Sequence, residues 1–245
     1  MLLLGHRGAA DRFHPENTLA AVDRALHLGA DGVEVDVRLT ADGVLVCSHD
    51  ASLRRTAGLS RDVSSMTAAE LAGVRASGHP LPTLDEVVDL VSDRGRLVVE
   101  MKISPRPDAS ASATAAAVIR RLARDVPGDV VVSSFDRPRL RQVREARLPV
   151  RTALLSRPGV PLAVALRRAV QGGHAEAHVH VLSLLARPHL IAQAHRLGLA
   201  VTGWTVDRPM ELRWLAAVGV EAAICDDPGA ARGHLRGNEE LERTG

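Results

Sequence analysis

The chain has 245 residues, 46% of them hydrophobic, enough apolar material for one large α/β domain or two small ones. Its 31 basic and 29 acidic residues leave a formal charge of +2, no strong field for nucleic acid, and 2% aromatics offer no stacking platform for single strands. With three leucines before Gly5, no run near the ~20 apolar residues of a membrane span, and Cys47 and Cys225 far apart in apolar runs, we expect a cytoplasmic protein with reduced thiols and no stable membrane anchor.

Met1 to Gly5 reads as a short buried strand, and Thr18 to Leu28 as an amphipathic helix closed by Gly29. In the next strand, Val33 to Arg38, the valines 33, 35 and 37 share one face. Glu34 and Asp36 therefore share the other, roughly 7 Å apart. So apolar a strand belongs inside, where an unpaired carboxylate is expensive, and two aligned carboxylates repel unless a cation sits between them. The pair reads as half of a divalent-metal site; the plain alternative is a half-exposed strand with a solvated acidic face. Ala41-Asp42-Gly43 then turns into Val44 to Ser48, a hairpin-like excursion. Asp50 to His79 is polar and glycine-punctuated, an insertion over one end of the domain. It holds a short helix over Thr67 to Val74 with Thr67 and Glu70 as a capping box. Thr83 to Val91 is a helix after Pro82, with Glu86 at the capping-box position.

The alternation then repeats with shorter linkers. Arg96 to Met101, Val130 to Ser134, Val150 to Leu155, Ala177 to Leu182, Leu199 to Thr205 and Ala222 to Cys225 read as strands. Between them lie helices over Ala109 to Asp125, Asp136 to Ala146, Leu162 to Val170, Pro188 to Leu197 and Pro209 to Val218, with a short one after Pro228 and a charged, frayed tail from Gly237. Eight βα units without a dividing linker predict a single domain over residues 1–236. The fold class is α/β, a (β/α)8 TIM barrel with a small insertion after the second strand. An open doubly wound sheet would show a glycine-rich phosphate loop after its first strand, and Gly5-His6-Arg7-Gly8 lacks the GxGxxG spacing.

Catalytic groups of such barrels stand at the carboxyl ends of the strands. His6 and Arg7 end the first strand, Glu34 and Asp36 lie late in the second, and His49 ends the excursion. Glu100 and Lys102 end the third, Phe135 follows the fourth, Trp204 ends the seventh, and Asp226 and Asp227 follow the eighth. Glu100 interrupts a valine-rich strand as Glu34 does, either as a third ligand or as the plain partner of Lys102, the only lysine in the chain. Three carboxylates make an all-oxygen cage, which suits Mg²⁺ or Ca²⁺ better than zinc. His6 and His49 flank it as candidate proton carriers, and Arg7 offers a planar fork for phosphate oxygens. The remaining histidines, His178 and His180 among them, read as structural or exposed.

With these residues in hand, the chain resembles the glycerophosphodiester phosphodiesterase family. The motifs are His6-Arg7-Gly8, Pro15-Glu16-Asn17-Thr18, Glu34-Val35-Asp36-Val37, His49-Asp50, Pro82-Thr83-Leu84-Asp85-Glu86, Glu100-Met101-Lys102, Ser134-Phe135, Trp204-Thr205-Val206 and Asp226-Asp227-Pro228, in the family's order over nearly the whole chain. The resemblance implies hydrolysis of glycerophosphodiesters to glycerol 3-phosphate and an alcohol. It assigns Glu34, Asp36 and Glu100 as metal ligands, His6 as general base and His49 as general acid. Arg7 would hold the phosphate, Lys102 would sit beside the metal, and Trp204 would lie against the glycerol or the leaving group. Asp207 and Cys225 depart from the family's usual Asn and Thr, and 151–185 matches poorly, which bears on substrate choice. Two other readings stand beside it: a lysophospholipase D-like enzyme on lipid substrates, and a Mg²⁺-dependent barrel lyase or aldolase.

Overall fold

The structure, a computed structural model, describes residues 1–103, 110–125 and 128–243, with side chains described throughout these except at 110–112 and 237–243. The chain begins β1 (Leu2–His6), α1 (Leu19–His27), β2 (Gly32–Leu39), β3 (Leu45–Cys47), α2 (Arg54–Ala57), α3 (Ala68–Leu71), β4 (Arg75–Ala76), β5 (His79–Pro80) and α4 (Leu84–Val91). It continues β6 (Arg96–Met101), α5 (Ser110–Arg124), β7 (Val130–Ser134), α6 (Arg137–Glu145), β8 (Arg151–Leu155) and α7 (Leu162–Gln171). Last come β9 (Glu176–His180), α8 (Val181–Ala186), α9 (His189–Arg196), β10 (Ala200–Trp204), α10 (Pro209–Ala217), β11 (Ala222–Cys225) and α11 (Pro228–Arg243).

β1, β2 and β6 to β11 pair in parallel, and β1 pairs with both β2 and β11, so the sheet closes on itself as the expected (β/α)8 barrel. Alternation along each strand separates two cores. Val33, Val35, Val37, Val99 and Met101 face outward into the large cluster shared with the helices. Leu4, Val98, Val131, Ala153, Ala222 and Ile224, with Leu2 and Trp204 against them, form a small separate cluster inside. Glu34, Asp36 and Glu100 alternate with the outward valines, so the barrel interior receives them because the helices claim the other face.

β3 runs back antiparallel along the end of β2, Val37 opposite Cys47, as the hairpin-like reading required. The segment behind it folds on a core of its own, Val46, Leu53, Val63, Met66 and Leu71. Both capping boxes form, Thr67 with Glu70 and Thr83 with Glu86. Cys47 and Cys225 are buried free thiols.

Beyond shifts of a residue or a few at element ends, the structure departs from the sequence reading in three places. The strand expected over Ala177 to Leu182 ends at His180, and α8 follows directly. Val181 and Leu182 extend the apolar run and so mimic strand, whereas the His180 side chain accepts the Leu182 N–H and starts a helix. The insertion also contains α2 and a turn of 3₁₀-helix over Val63–Ser65, too short to leave a periodic signal. The last helix runs to Arg243, well into the charged stretch from Gly237, and 244–245 lie outside the described residues, as does Ala109 of the helix expected over Ala109 to Asp125.

Candidate active site

Strand register assembles the acidic cluster. His6 lies beside Glu34 across β1 and β2, and Asp36 lies beside Glu100 across β2 and β6. Adjacent like charges ordinarily destabilise a sheet. Here one oxygen from each of Glu34, Asp36 and Glu100 lies within 4.8 Å of the others, and all three residues are buried.

Their counter-charges are uneven. Lys102 Nζ stands 2.8 Å from both Asp36 Oδ1 and Glu100 Oε1, so the plain pairing and the ligand reading coexist. Arg7 Nε is 3.1 Å from Asp36 Oδ2, which also accepts the Asn17 amide at 2.8 Å. Burial would raise Asp36, but Lys102 and then Arg7 hold it down to about 2. Among the described residues, Glu34 accepts only the Arg7 backbone N–H on Oε2, at 3.1 Å, and its Oε1 is buried without a hydrogen-bond partner. Burial, then the charge of Asp36, pushes Glu34 up to about 8, and the same two causes raise Glu100. Two cationic side chains thus serve three carboxylates. The orphaned oxygen and the all-oxygen donor set fit a hard divalent cation.

Two imidazoles flank this centre. His6 Nδ1 is 2.7 Å from Asp226 Oδ1, and His49 Nδ1 is 2.7 Å from Asp50 Oδ1. A carboxylate on each Nδ1 selects the tautomer that leaves Nε2 for a substrate, an assignment made from the hydrogen-bond network. For His6, burial lowers the pKa, but the Asp226 bond and the charge of Glu34 outweigh it and leave the group raised. For His49, burial and the charge of Lys102 prevail over Asp36 and Asp50, and the group is lowered.

His49 is held from two sides. The Arg38 guanidinium forks onto its carbonyl at 3.0 and 2.6 Å. Asp50 passes to Arg55 at 2.5 Å, Arg55 forks onto Glu16 at 3.0 and 2.7 Å, and Glu16 meets Arg7 at 3.1 Å. A chain of alternating charges therefore joins His49 to the acidic centre through Arg7. Both Arg7 (φ 56°) and Asn17 (φ 59°) occupy the left-handed region, which side chains other than glycine seldom adopt. The turn that carries Arg7 is tight, since a Cβ on Gly5 would come within 2.5 Å of the Gly8 carbonyl oxygen.

The cavity enclosed is about 230 Å³. His6, Arg7, Glu34, His49, Glu100, Lys102 and Trp204 all line it, and Asp36 reaches it through its contacts with Arg7 and Lys102. Phe135 and Trp204 meet edge to face across it, ring centres 5.8 Å apart. Sequence reasoning brought these residues together but missed their supports: Asn17, Glu16, Asp50 and Arg55 carry no signal beyond lying in or near the quoted motifs. It left His178 as structural or exposed, and the structure shows it buried in the cavity wall. Among the described residues no helix is long and apolar enough to cross a membrane.

A family model described as the glycerophosphoryl diester phosphodiesterase family matches residues 6–230. A glycerophosphodiester phosphodiesterase of Caldanaerobacter subterraneus subsp. tengcongensis is 32% identical, over 93% of this chain and 94% of its own. The crystal structure of a glycerophosphoryl diester phosphodiesterase (so named provisionally) from Silicibacter pomeroyi DSS-3 superimposes with a TM-score of 0.87 and 30% identity, over 98% of this chain and 94% of that one. A phosphodiesterase from Oleispira antarctica, solved in complex with the product sn-glycerol-3-phosphate, shares the fold at a TM-score of 0.86 and 24% identity, over 96% and 97% of the two chains.

Proposed function

The chain belongs to the glycerophosphoryl diester phosphodiesterase family and is a phosphoric diester hydrolase, and from that premise we propose that it cleaves glycerophosphodiesters to glycerol 3-phosphate and an alcohol by divalent-cation-assisted acid–base catalysis. The observation that carries this reading is the pairing of three buried carboxylates, one oxygen unsatisfied, with two Asp-anchored imidazoles in one cavity. Glu34, Asp36 and Glu100 would hold Mg²⁺ or Ca²⁺, which when bound neutralises charge on a phosphate oxygen. The chain's own residues do the rest. Arg7, whose side chain already lines the cavity, offers guanidinium donors to the phosphate, and Lys102 adds a second fixed positive charge beside it. Phe135 and Trp204 give an apolar wall against the glycerol carbons or the leaving group.

His6 is the general base toward water or a substrate hydroxyl, and His49 the general acid toward the departing oxygen. By themselves, the raised His6 and lowered His49 lean toward the reverse division. Glu34 is one of the anions that holds His6 up, so its neutralisation removes part of that lean. A diester with a p-nitrophenol leaving group tests the order, because that group departs without a proton. His49→Ala should then recover most of its activity on glycerophosphoryl p-nitrophenol while His6→Ala stays slow. Recovery in His6→Ala alone exchanges the two roles.

The direct assay is release of glycerol 3-phosphate from a panel of glycerophosphodiesters with Mg²⁺, with Ca²⁺ and with chelator. Near-normal turnover of glycerophosphocholine by His49→Ala would reject the assignment. One observation favours the lipid reading: Phe13, Leu182 and Met210, on segments that follow β1, β9 and β10 at the mouth, are 60%, 64% and 76% exposed. Hydrolysis of a lysolipid ahead of water-soluble diesters would select it.

A further inference from the structure

Ser133 and His178 line the cavity that holds the acidic cluster, yet neither belongs to that cluster or to the two His–Asp pairs. Each is only 1% exposed. Ser133 Oγ and His178 Nδ1 are both buried with no hydrogen-bond partner among the described residues. A buried polar atom left unpaired carries its full desolvation penalty, so such atoms are satisfied when the site is filled or they would not be retained beside apolar neighbours. Their depth follows from register. Ser133 lies beside Glu100 on the neighbouring strand. His178 lies beside Thr202, two residues before Trp204, so it sits one layer below the aromatic wall.

His178 is also set for one chemistry. Its Nε2 is 3.2 Å from Glu176 Oε2, which assigns the proton to Nε2 and leaves Nδ1 as an acceptor. Glu176 is in turn fixed by Arg151 at 2.9 Å and by the Thr202 hydroxyl at 3.4 Å, so the ring cannot easily turn over. A lone-pair acceptor on one side and a rotatable hydroxyl on the other match alcohol groups, and neither carries a charge suited to phosphate.

We propose that Ser133 and His178 form a hydroxyl-reading floor beneath the phosphate site, which selects ligands whose carbon skeleton bears free alcohols, the glycerol portion of the substrate first among them. This rests on the cavity being the phosphodiesterase site and adds how it distinguishes a polyol phosphate from an alkyl one. Ser133 approaches from the Glu100 side and His178 from the Trp204 side, so a glycerol unit between them would meet polar atoms below and rings above.

Calorimetry in the presence of Mg²⁺ or Ca²⁺ tests this with sn-glycerol 3-phosphate against propyl phosphate, which has the same carbon count without hydroxyls. The unsubstituted protein should prefer glycerol 3-phosphate, and Ser133→Ala and His178→Gln should each cut that preference about three- to tenfold, the worth of one neutral hydrogen bond. Gln reaches the Nε2 position and keeps the Glu176 contact while deleting Nδ1. Should His178→Gln fail to fold, Ser133→Ala alone decides. No preference in the unsubstituted protein, or a ratio kept within twofold in the folded variants, overturns the floor. The binding ratio needs no turnover, so an inactive but discriminating protein would count against the hydrolase reading and not against this one.

Discussion

The barrel interior holds two buried acidic regions, and they are built on opposite principles. Toward the amino-terminal end of the strands, Glu176 is a single buried carboxylate between two arginines, with His178 as a hydrogen-bond donor. Arg151 lies 2.9 Å from it, Arg96 3.7 Å and His178 3.2 Å, and Asp129 takes the other arms of both arginines. Burial alone would raise Glu176, but the His178 hydrogen bond and the surrounding charges hold it down to about 2. At the mouth, Glu34 shares its space with two other carboxylates, keeps an unpartnered oxygen, and is pushed up to about 8. One region is neutralised by the chain itself; the other is left short of positive charge. A site that a fold leaves unbalanced at its open end is one where a ligand completes the balance.

The comparison can be broken by substitution. The largest effect belongs to the mouth: His6→Ala and His49→Ala should each lower kcat on glycerophosphocholine by roughly 10²–10⁴ with little change in the urea midpoint. If either variant loses stability in proportion to activity, the mouth histidines are structural. Glu176→Gln should do the converse. It takes the buried partner from Arg151 and Arg96, which keep Asp129, and should cost about 1–3 kcal/mol in urea unfolding. A cost below about 1 kcal/mol would mean that the floor is not neutralised as its geometry indicates.

The next effect is cation binding. Mg²⁺ or Ca²⁺ at a hundred times its Kd should stabilise the native protein by about 2.7 kcal/mol, seen as a rise in Tm. Glu34→Gln should lose most of that rise, and an equal rise in both proteins would place the cation elsewhere. The most discriminating effect is the sign of the pH dependence. With chelator present, folded Glu34 keeps its proton from its ordinary 4.5 up to about 8 while the unfolded chain has lost it. Stability relative to Glu34→Gln should therefore fall as pH rises through that window, by up to about 1.4 kcal/mol per pH unit. Folded Glu176 stays ionised from 4.5 down to about 2 while the unfolded chain takes up a proton. Its contribution is whole above 4.5 and disappears as pH falls toward 2. Equal slopes for the two carboxylates would erase the distinction between mouth and floor.

The strand-and-helix alternation was legible because most strands carry a short apolar run for the helices to cover, valine-rich in β2, β6 and β7, and the helices carry caps at Thr18, Thr67 and Thr83. Glu34, Asp36 and Glu100 were legible for the same reason: a carboxylate in such a run stands out against its neighbours. The supports of His49 were not. Arg55 is one exposed-looking arginine among 31 basic residues, and only the folding of the insertion brings it between Asp50 and Glu16. His178 could be read only as structural or exposed, because nothing local says which neighbouring strands enclose it.

What the chain determined by itself was therefore the periodic part, eight strands with their acidic interruptions, since local pattern dictates which face each side chain takes. What needed three dimensions was the balance of charge. Whether a buried carboxylate is matched, like Glu176, or left wanting, like Glu34, depends on which residues from distant strands close the circle around it. The energy of a buried charge is set by neighbours within a few ångströms, however far off they lie along the sequence.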